Sequence, residues 1–349
     1  MECLEKPNEE IRKQILENFD QIAKPIDGLG RFESLLAQIG AIQGTNQIKL
    51  EKKAILIFCA DNGIVEEGIS QSGQEVTLAV MKNMAKQQSS VGRMAAYVHA
   101  DAIPIDIGVN TTEKVEGVRE RKIAYGTKNF RKEPAMTQEE VVQAIQVGFD
   151  LVREYKNQGY DLLATGEMGI GNTTTSSAVA AVLLQCEVSE VTGRGAGLDD
   201  QKLEHKKRVI AEAIETYNLK HASALEILQT VGGLDIAGMT GVCLGGAFHH
   251  VPIVLDGVIS MVAALIAERL VPGVKEYLIP SHKGKEPAIA LLAEELELEP
   301  VIDGQLALGE GTGAAMMFSL LESALCVYQG SNTFSEIHIE QYERRGSIC

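Results

Sequence analysis

Apolar residues recur along this chain in two rhythms. Near the start, Ile11, Ile15, Leu16, Phe19 and Ile22 fall three and four apart against a polar background, which predicts an amphipathic helix within residues 1–23. Pro25, Gly28 and Gly30 interrupt it, and residues 32–39 begin a second helix. The rhythm then changes. Residues 54–60 (AILIFCA) are apolar without a break, as in a strand buried on both faces of a parallel sheet. Further strands are expected at 102–109, 161–165, 251–255 and 277–280. Helices are expected at 76–97, 138–158, from Thr173, and at 201–217, 222–231, 234–248 and 258–270. Thr137 and Glu140 have the spacing of a capping box at the head of the 138–158 helix. Gly238, Gly241, Gly245 and Gly246 interrupt an otherwise apolar helix and point to close helix packing.

Strand, loop and helix alternate from about residue 54 to 282, which predicts an α/β fold with a doubly wound, mostly parallel sheet. The expected division is a Rossmann-like domain over 51–299 and a second, smaller helical domain built from the chain ends, 1–50 and 300–349. A length of 349 residues fits two domains. Residues 331–349 are polar and either fray or pack on a partner.

In open sheets of this class, ligands sit beyond the carboxyl ends of the strands. The stretch DLLATGEMGIGNTTTSS (161–177) reads as a strand, a tight loop over 166–172 and a helix. Free N–H groups and the positive end of the helix dipole would suit a phosphate, so Gly169, Gly171, Asn172, Thr173 and Thr174 are candidate ligands. Glu167 is costly beside an anion unless it faces another part of the ligand; an ordinary turn with an exposed acid is the alternative. A second glycine loop, GRGAG (193–197), adds Gly195. Lys206 falls within the apolar stripe Leu203, Ile210, Ala213, Ile214 and Tyr217, so its ammonium either meets a polar cavity or reaches past the stripe to solvent. Asp256 and Ser281 each follow a strand, and Ser72 and Gln74 lie in the segment after the first one. The loop KPIDGLGR (24–31) either contacts an anion or is a solvated connector. Glu310 stands among Gly309, Gly311 and Gly313 just before an apolar helix. There it is either a general base of raised pKa or an acid that offsets the helix dipole.

Composition narrows the chemistry. Hydrophobic residues at 45% and charged residues at 23% are ordinary for a globular protein, but a net charge of −16 opposes nucleic acid and anionic membranes as partners. Cys3, Cys59, Cys186, Cys243, Cys326 and Cys349 form no C-x-x-C pair and the seven histidines no H-E-x-x-H, so neither a metal nor a cofactor is expected. The P-loop and dinucleotide fingerprints are absent, which discounts ATP and NAD. No secretory leader pattern or bilayer-length apolar run is visible, and a cytoplasmic location is expected. What remains is a site for a phosphorylated compound with two glutamates and a lysine near its reacting centre.

The segments GEMGIGNTT (166–174), GRGAG (193–197) and LGEGTGA (308–314), with KPIDGLGR (24–31), closely resemble the nicotinate-nucleotide dimethylbenzimidazole phosphoribosyltransferase family, in order over nearly the whole chain. The resemblance implies transfer of a 5-phosphoribosyl group from nicotinate mononucleotide to 5,6-dimethylbenzimidazole, or a related lower-ligand base, for the nucleotide loop of cobalamin. It implies that Glu310 takes the proton from the base and that Glu167 and Lys206 flank the sugar. The loops at 169–174 and Gly195 would hold phosphate and ribose, with Asp256 and Ser281 near the nucleotide and Ser72 and Gln74 near the base. It also implies a homodimer that needs no metal. One departure is visible: the family often has Asp-His-Gly where this chain has Asp61-Asn62-Gly63. Adenine or a phenolic acceptor, a nicotinate mononucleotide hydrolase and a non-catalytic ligand-binding subunit are the competing readings.

Overall fold

A computed structural model describes residues 4–344. Its core is a six-stranded, wholly parallel sheet in the order β3-β2-β1-β4-β5-β6. The strands are β1 (Lys53–Ala60), β2 (Ala100–Gly108), β3 (Arg119–Glu120), β4 (Leu162–Met168), β5 (Ile253–Leu255) and β6 (Leu278–Pro280). Chain order reverses between β1 and β4, the switch point at which such sheets bind ligands.

Every residue of β1 is buried, and its pleat explains why. Ala54, Leu56, Phe58 and Ala60 point into one apolar cluster, while Ile55, Ile57 and Cys59 point into another on the opposite face. The first cluster includes the helices Gln138–Asn157, Asn172–Leu183, Leu234–Phe248 and Val258–Leu270. The glycines of Leu234–Phe248 allow the expected close packing. A Cβ at Gly241 would strike the carbonyl of Ile145, and one at Gly238 the ring of Phe58. The second face is covered by Glu9–Gln21, Arg31–Gln43 and the last helix, Thr312–Gly330, so the helices from the two chain ends share one core with the sheet.

Several boundaries differ from the sequence reading. The single helix expected at 76–97 is two, Glu75–Ala85 and Ser90–Tyr97. Gln87 turns left-handed at φ 55°, and Ser89 restarts the helix by accepting from the N–H of Gly92. β4 runs on to Met168, so Gly166 and Glu167 belong to the strand; Glu167 is in register with Phe58 of β1. A small parallel pair, β7 (His282–Gly284) with β8 (Ile302–Leu306), flanks the helix Ala288–Glu295, and neither strand is among those expected.

The 24–31 loop is a structural connector: Lys24 pairs with buried Glu33 at 2.7 Å, and the N–H of Leu29 donates to the same carboxylate. Beyond residue 330 the described chain packs on its own N-terminal helix. Thr333 bridges to Ile22, Phe334 is buried, and Arg344 grips Asp20 and Asp27. Cys3 and Cys349 lie outside the described residues; Cys59 and Cys243 are buried free thiols.

Candidate active site

A cleft of about 280 Å³ opens at the carboxyl ends of β4 and β5, roofed by the 306–310 segment. Glu167, Gly169, Asn172, Thr173, Gly195, Asp256 and Glu310 from the sequence reading all line it.

Glu310 owes its place to backbone geometry. Gly309, Glu310 and Gly311 are all left-handed, at φ 84°, 62° and 98°. Such a conformation is strained for a glutamate and persists only where the surroundings enforce it. Asp256, at the end of β5, supplies much of that enforcement. Its buried carboxylate accepts from the N–H of Gly311 at 3.1 Å and of Gly313 at 2.7 Å, capping a helix whose own N-cap is a glycine. Oε2 of Glu310 in turn accepts from the N–H of Val91 at 3.2 Å, in the first turn of Ser90–Tyr97. Burial pushes the Glu310 carboxyl above its ordinary range, the Val91 N–H pulls it back, and the Asp256 charge adds to the rise.

Glu167 faces this loop. Its carboxylate accepts from the side-chain amide of Asn172, and the bare Cα of Gly309 leaves room for its other oxygen. Burial and then the charges of Asp235 and Asp256 push its pKa up to about 8; the Asn172 amide and the Glu310 N–H oppose them. Asn172 also donates to Asp235 at 3.2 Å. Asp235 is fully buried, and desolvation raises it to about 6 against the Asn172 hydrogen bond. It stands behind Asn172, off the cleft lining, and the sequence reading missed it. The available signal was a carboxylate in the first turn of a helix with no polar face, which leaves it no route to water.

Other candidates stand behind the wall rather than on it. Lys206 is fully buried and off the cleft surface, donating to Thr173 Oγ1 at 3.0 Å and to the Gly193 carbonyl at 3.2 Å. Desolvation lowers its pKa to about 8, opposed by the charge of Glu286. Of the two readings for this residue, a polar cavity holds and reaching out to solvent does not. Thr174 is buried beneath the loop. Gly171, at φ 96°, turns the chain into the helix. Ser281 donates to the Asp256 carbonyl at 2.8 Å and meets His282 Nδ1 at 3.0 Å, so its hydroxyl is committed to the scaffold.

Ser72 and Gln74 are not on the wall at all. The Gln74 amide bonds the main-chain carbonyl of Asn62 at 3.2 Å and so steadies the end of β1. Asn62 is buried against Gly169 and Gly233, where a Cβ on either glycine would crowd its amide. Among the described residues, no group of three or more His, Cys, Asp or Glu side chains could hold a metal, and no helix is long and apolar enough to cross a membrane.

The order of these parts along the chain matches known proteins. A family model described as phosphoribosyltransferase matches residues 4–339. The nicotinate-nucleotide–dimethylbenzimidazole phosphoribosyltransferase of Clostridium perfringens is 43% identical over 321 residues, 92% of this chain and 89% of the relative. The chain belongs to the nicotinate-nucleotide–dimethylbenzimidazole phosphoribosyltransferase family. A relative of the same name from Acetivibrio thermocellus is 40% identical over 342 residues, covering 98% of this chain and 96% of its own length. The crystal structure bearing the family name from Thermus thermophilus superimposes with a TM-score of 0.89 at 33% identity, over 96% of this chain and all of that one. The cleft lies beyond the carboxyl ends of β4 and β5, one strand over from the reversal between β1 and β4.

Proposed function

We propose that this chain transfers the 5-phosphoribosyl group of nicotinate mononucleotide to 5,6-dimethylbenzimidazole, or a related lower-ligand base, giving α-ribazole 5'-phosphate and nicotinate for cobalamin assembly. The observation that carries this reading is the placement of two carboxyl groups of raised pKa, Glu310 and Glu167, on one cleft whose other end is made of the loops at Asn172–Thr173 and Gly195.

The roles follow from position. The loop amides and the helix N-terminus after Gly171 receive the phosphate, with the Lys206 ammonium behind Thr173 adding positive charge. Val258, Ile259, Leu306 and Leu308 give the cleft the apolar surface that a flat aromatic base needs. Glu310 accepts the azole proton, and the freed nitrogen lone pair attacks the anomeric carbon opposite nicotinate. As that bond forms, the carbon–nitrogen bond to nicotinate breaks and its electron pair neutralises the pyridinium. Attack from the opposite face converts a β nucleotide into an α product.

Glu167 holds its proton at neutral pH in the empty cleft, since its pKa is about 8. A cationic pyridinium and the positive charge growing on the ribose would draw it toward the carboxylate, which then stabilises that charge. Asp256 acts through the loop it caps and is a positioning residue.

The same reading takes the chain as a cytoplasmic homodimer. Exposed Tyr97, Met316 and Leu320 flank one apolar depression on the helices beside Glu310, and a second copy of the chain would cover them. Sedimentation of the parent and of a Tyr97→Asp, Leu320→Asp double variant reads this directly, with a monomeric parent as the contrary result.

The test of the activity is nicotinate release from nicotinate mononucleotide with 5,6-dimethylbenzimidazole, adenine, phenol or no acceptor, for the parent and Glu310→Gln. Release that depends on the benzimidazole and collapses in the variant is expected. Equal release without any acceptor would make the chain a hydrolase and overturn the proposal.

A further inference from the structure

The 193–195 loop, assigned above to the phosphate, already holds an anion of the chain's own. Oε1 of Glu286 accepts from the N–H of Gly195 at 3.0 Å, and its Oε2 lies so close to Gly193 that a Cβ there would strike it. The buried ammonium of Lys206 reaches the same loop from behind, through the carbonyl of Gly193 and the hydroxyl of Thr173. Thr173, Gly195 and Glu286 all face the cleft. A carboxylate, a loop N–H and a nearby cation form the arrangement in which a phosphate oxygen would sit.

Glu286 is also free to leave. It belongs to the short segment between β7 and the helix Ala288–Glu295, is only half-buried, and is held at the loop by the one hydrogen bond from Gly195. Two anions cannot share that N–H. A ligand phosphate that uses it must expel the Glu286 carboxylate to solvent, whereas a ligand with no phosphate has nothing with which to compete.

We infer that Glu286 is a stand-in for the donor phosphate, occupying the Gly195 site until a ligand phosphate displaces it and so setting a threshold that weaker anions do not pass. This rests on the reading of the cleft as a phosphoribosyl site. The displacement is an exchange of one charge-assisted hydrogen bond for another. Its cost is felt by every anion that binds there, and only a phosphate, with more charge and three oxygens to spread over Gly195, Thr173 and the helix N-terminus, outweighs it.

The test is titration calorimetry of the full chain, parent against Glu286→Gln and Glu286→Ala, with inorganic phosphate, nicotinate mononucleotide and nicotinate riboside. Removing the competing charge is expected to tighten inorganic phosphate by roughly tenfold, the scale of one charge-assisted hydrogen bond. The mononucleotide should tighten in parallel, and the riboside should be unchanged. Two variants guard against a local folding defect, since a disordered loop would not bind phosphate better than the parent. Unchanged or weaker phosphate binding in both would overturn the inference. Because inorganic phosphate is read separately, tightened phosphate binding without any mononucleotide binding would uphold the stand-in and reject the donor instead.

Discussion

The main-chain N–H of Val91 donates to Oε2 of Glu310 across 3.2 Å, so the first turn of one helix holds the carboxylate that precedes another. The contact exists because Ser89 restarts a helix that Gln87 has broken. A hydrogen bond of this kind favours the ionised acid. Val91→Pro removes the donor in the first turn, where the N–H has no partner within the helix. The Glu310 pKa should then rise, and under the proposed mechanism, in which Glu310 must be ionised to accept the proton, the acidic limb of the kcat/KM profile should move to higher pH, by roughly one unit. Val91→Ala keeps the N–H and should leave the limb in place, which separates the hydrogen bond from packing.

Glu167 and Asp235 make the empty protein less stable as pH rises. Their native pKa values, about 8 and about 6, lie above the ordinary 4.5 and 3.8, so the native state binds more protons than the unfolded chain between each pair of values. Stability from these groups is complete below about pH 4 and falls as pH climbs to 8. In Glu167→Gln combined with Asp235→Asn, the melting temperature should decline less between pH 5 and 8.5 than in the parent. Parallel curves would contradict it.

Lys206 shows the opposite sign with the same lesson. Burial lowers its pKa to about 8 from 10.5, so the unfolded chain holds the proton more firmly and stability rises with pH between these values. Lys206→Met should therefore melt no lower than the parent at pH 7. It should nevertheless raise KM for nicotinate mononucleotide on the order of tenfold or more, through the lost charge behind Thr173. Steady-state kinetics beside a thermal melt gives both numbers.

Gly166 lies in β4, where alanine would ordinarily be harmless. Here a Cβ would sit 2.5 Å from the main-chain oxygen of Glu310. Gly166→Ala should displace the 309–311 loop, cost about 1–3 kcal/mol of stability as overpacking does, and lower kcat. Urea unfolding and turnover measured together check this; full activity would show that the loop position is not critical.

The parts that the sequence made visible were those written locally. β1 is an uninterrupted apolar run, and Glu310 is isolated by three glycines within five residues. Asp235 showed in the sequence only as a lone acid on an apolar helix, because its meaning comes from Asn172, which arrives on another helix by tertiary packing. The break at Gln87 carries no Gly or Pro, and a left-handed glutamine cannot be told from a helical one in a sequence. β7 and β8 are short, and their pairing spans a helix. Ser72 and Gln74 lie off the cleft wall described here, and a polar residue after a strand can serve the strand's end, as Gln74 does for Asn62.

The last helix covers one sheet face while its preceding loop delivers Glu310, and this orders events during synthesis. As the chain leaves the ribosome, the sheet, the 169–174 and 193–197 loops, Glu167 and Asp235 emerge first. Glu310 reaches them only when Thr312–Gly330 docks beside the first two helices. The same docking step therefore completes the second core and brings Glu310 to Glu167, so the cleft is assembled only when the fold is complete.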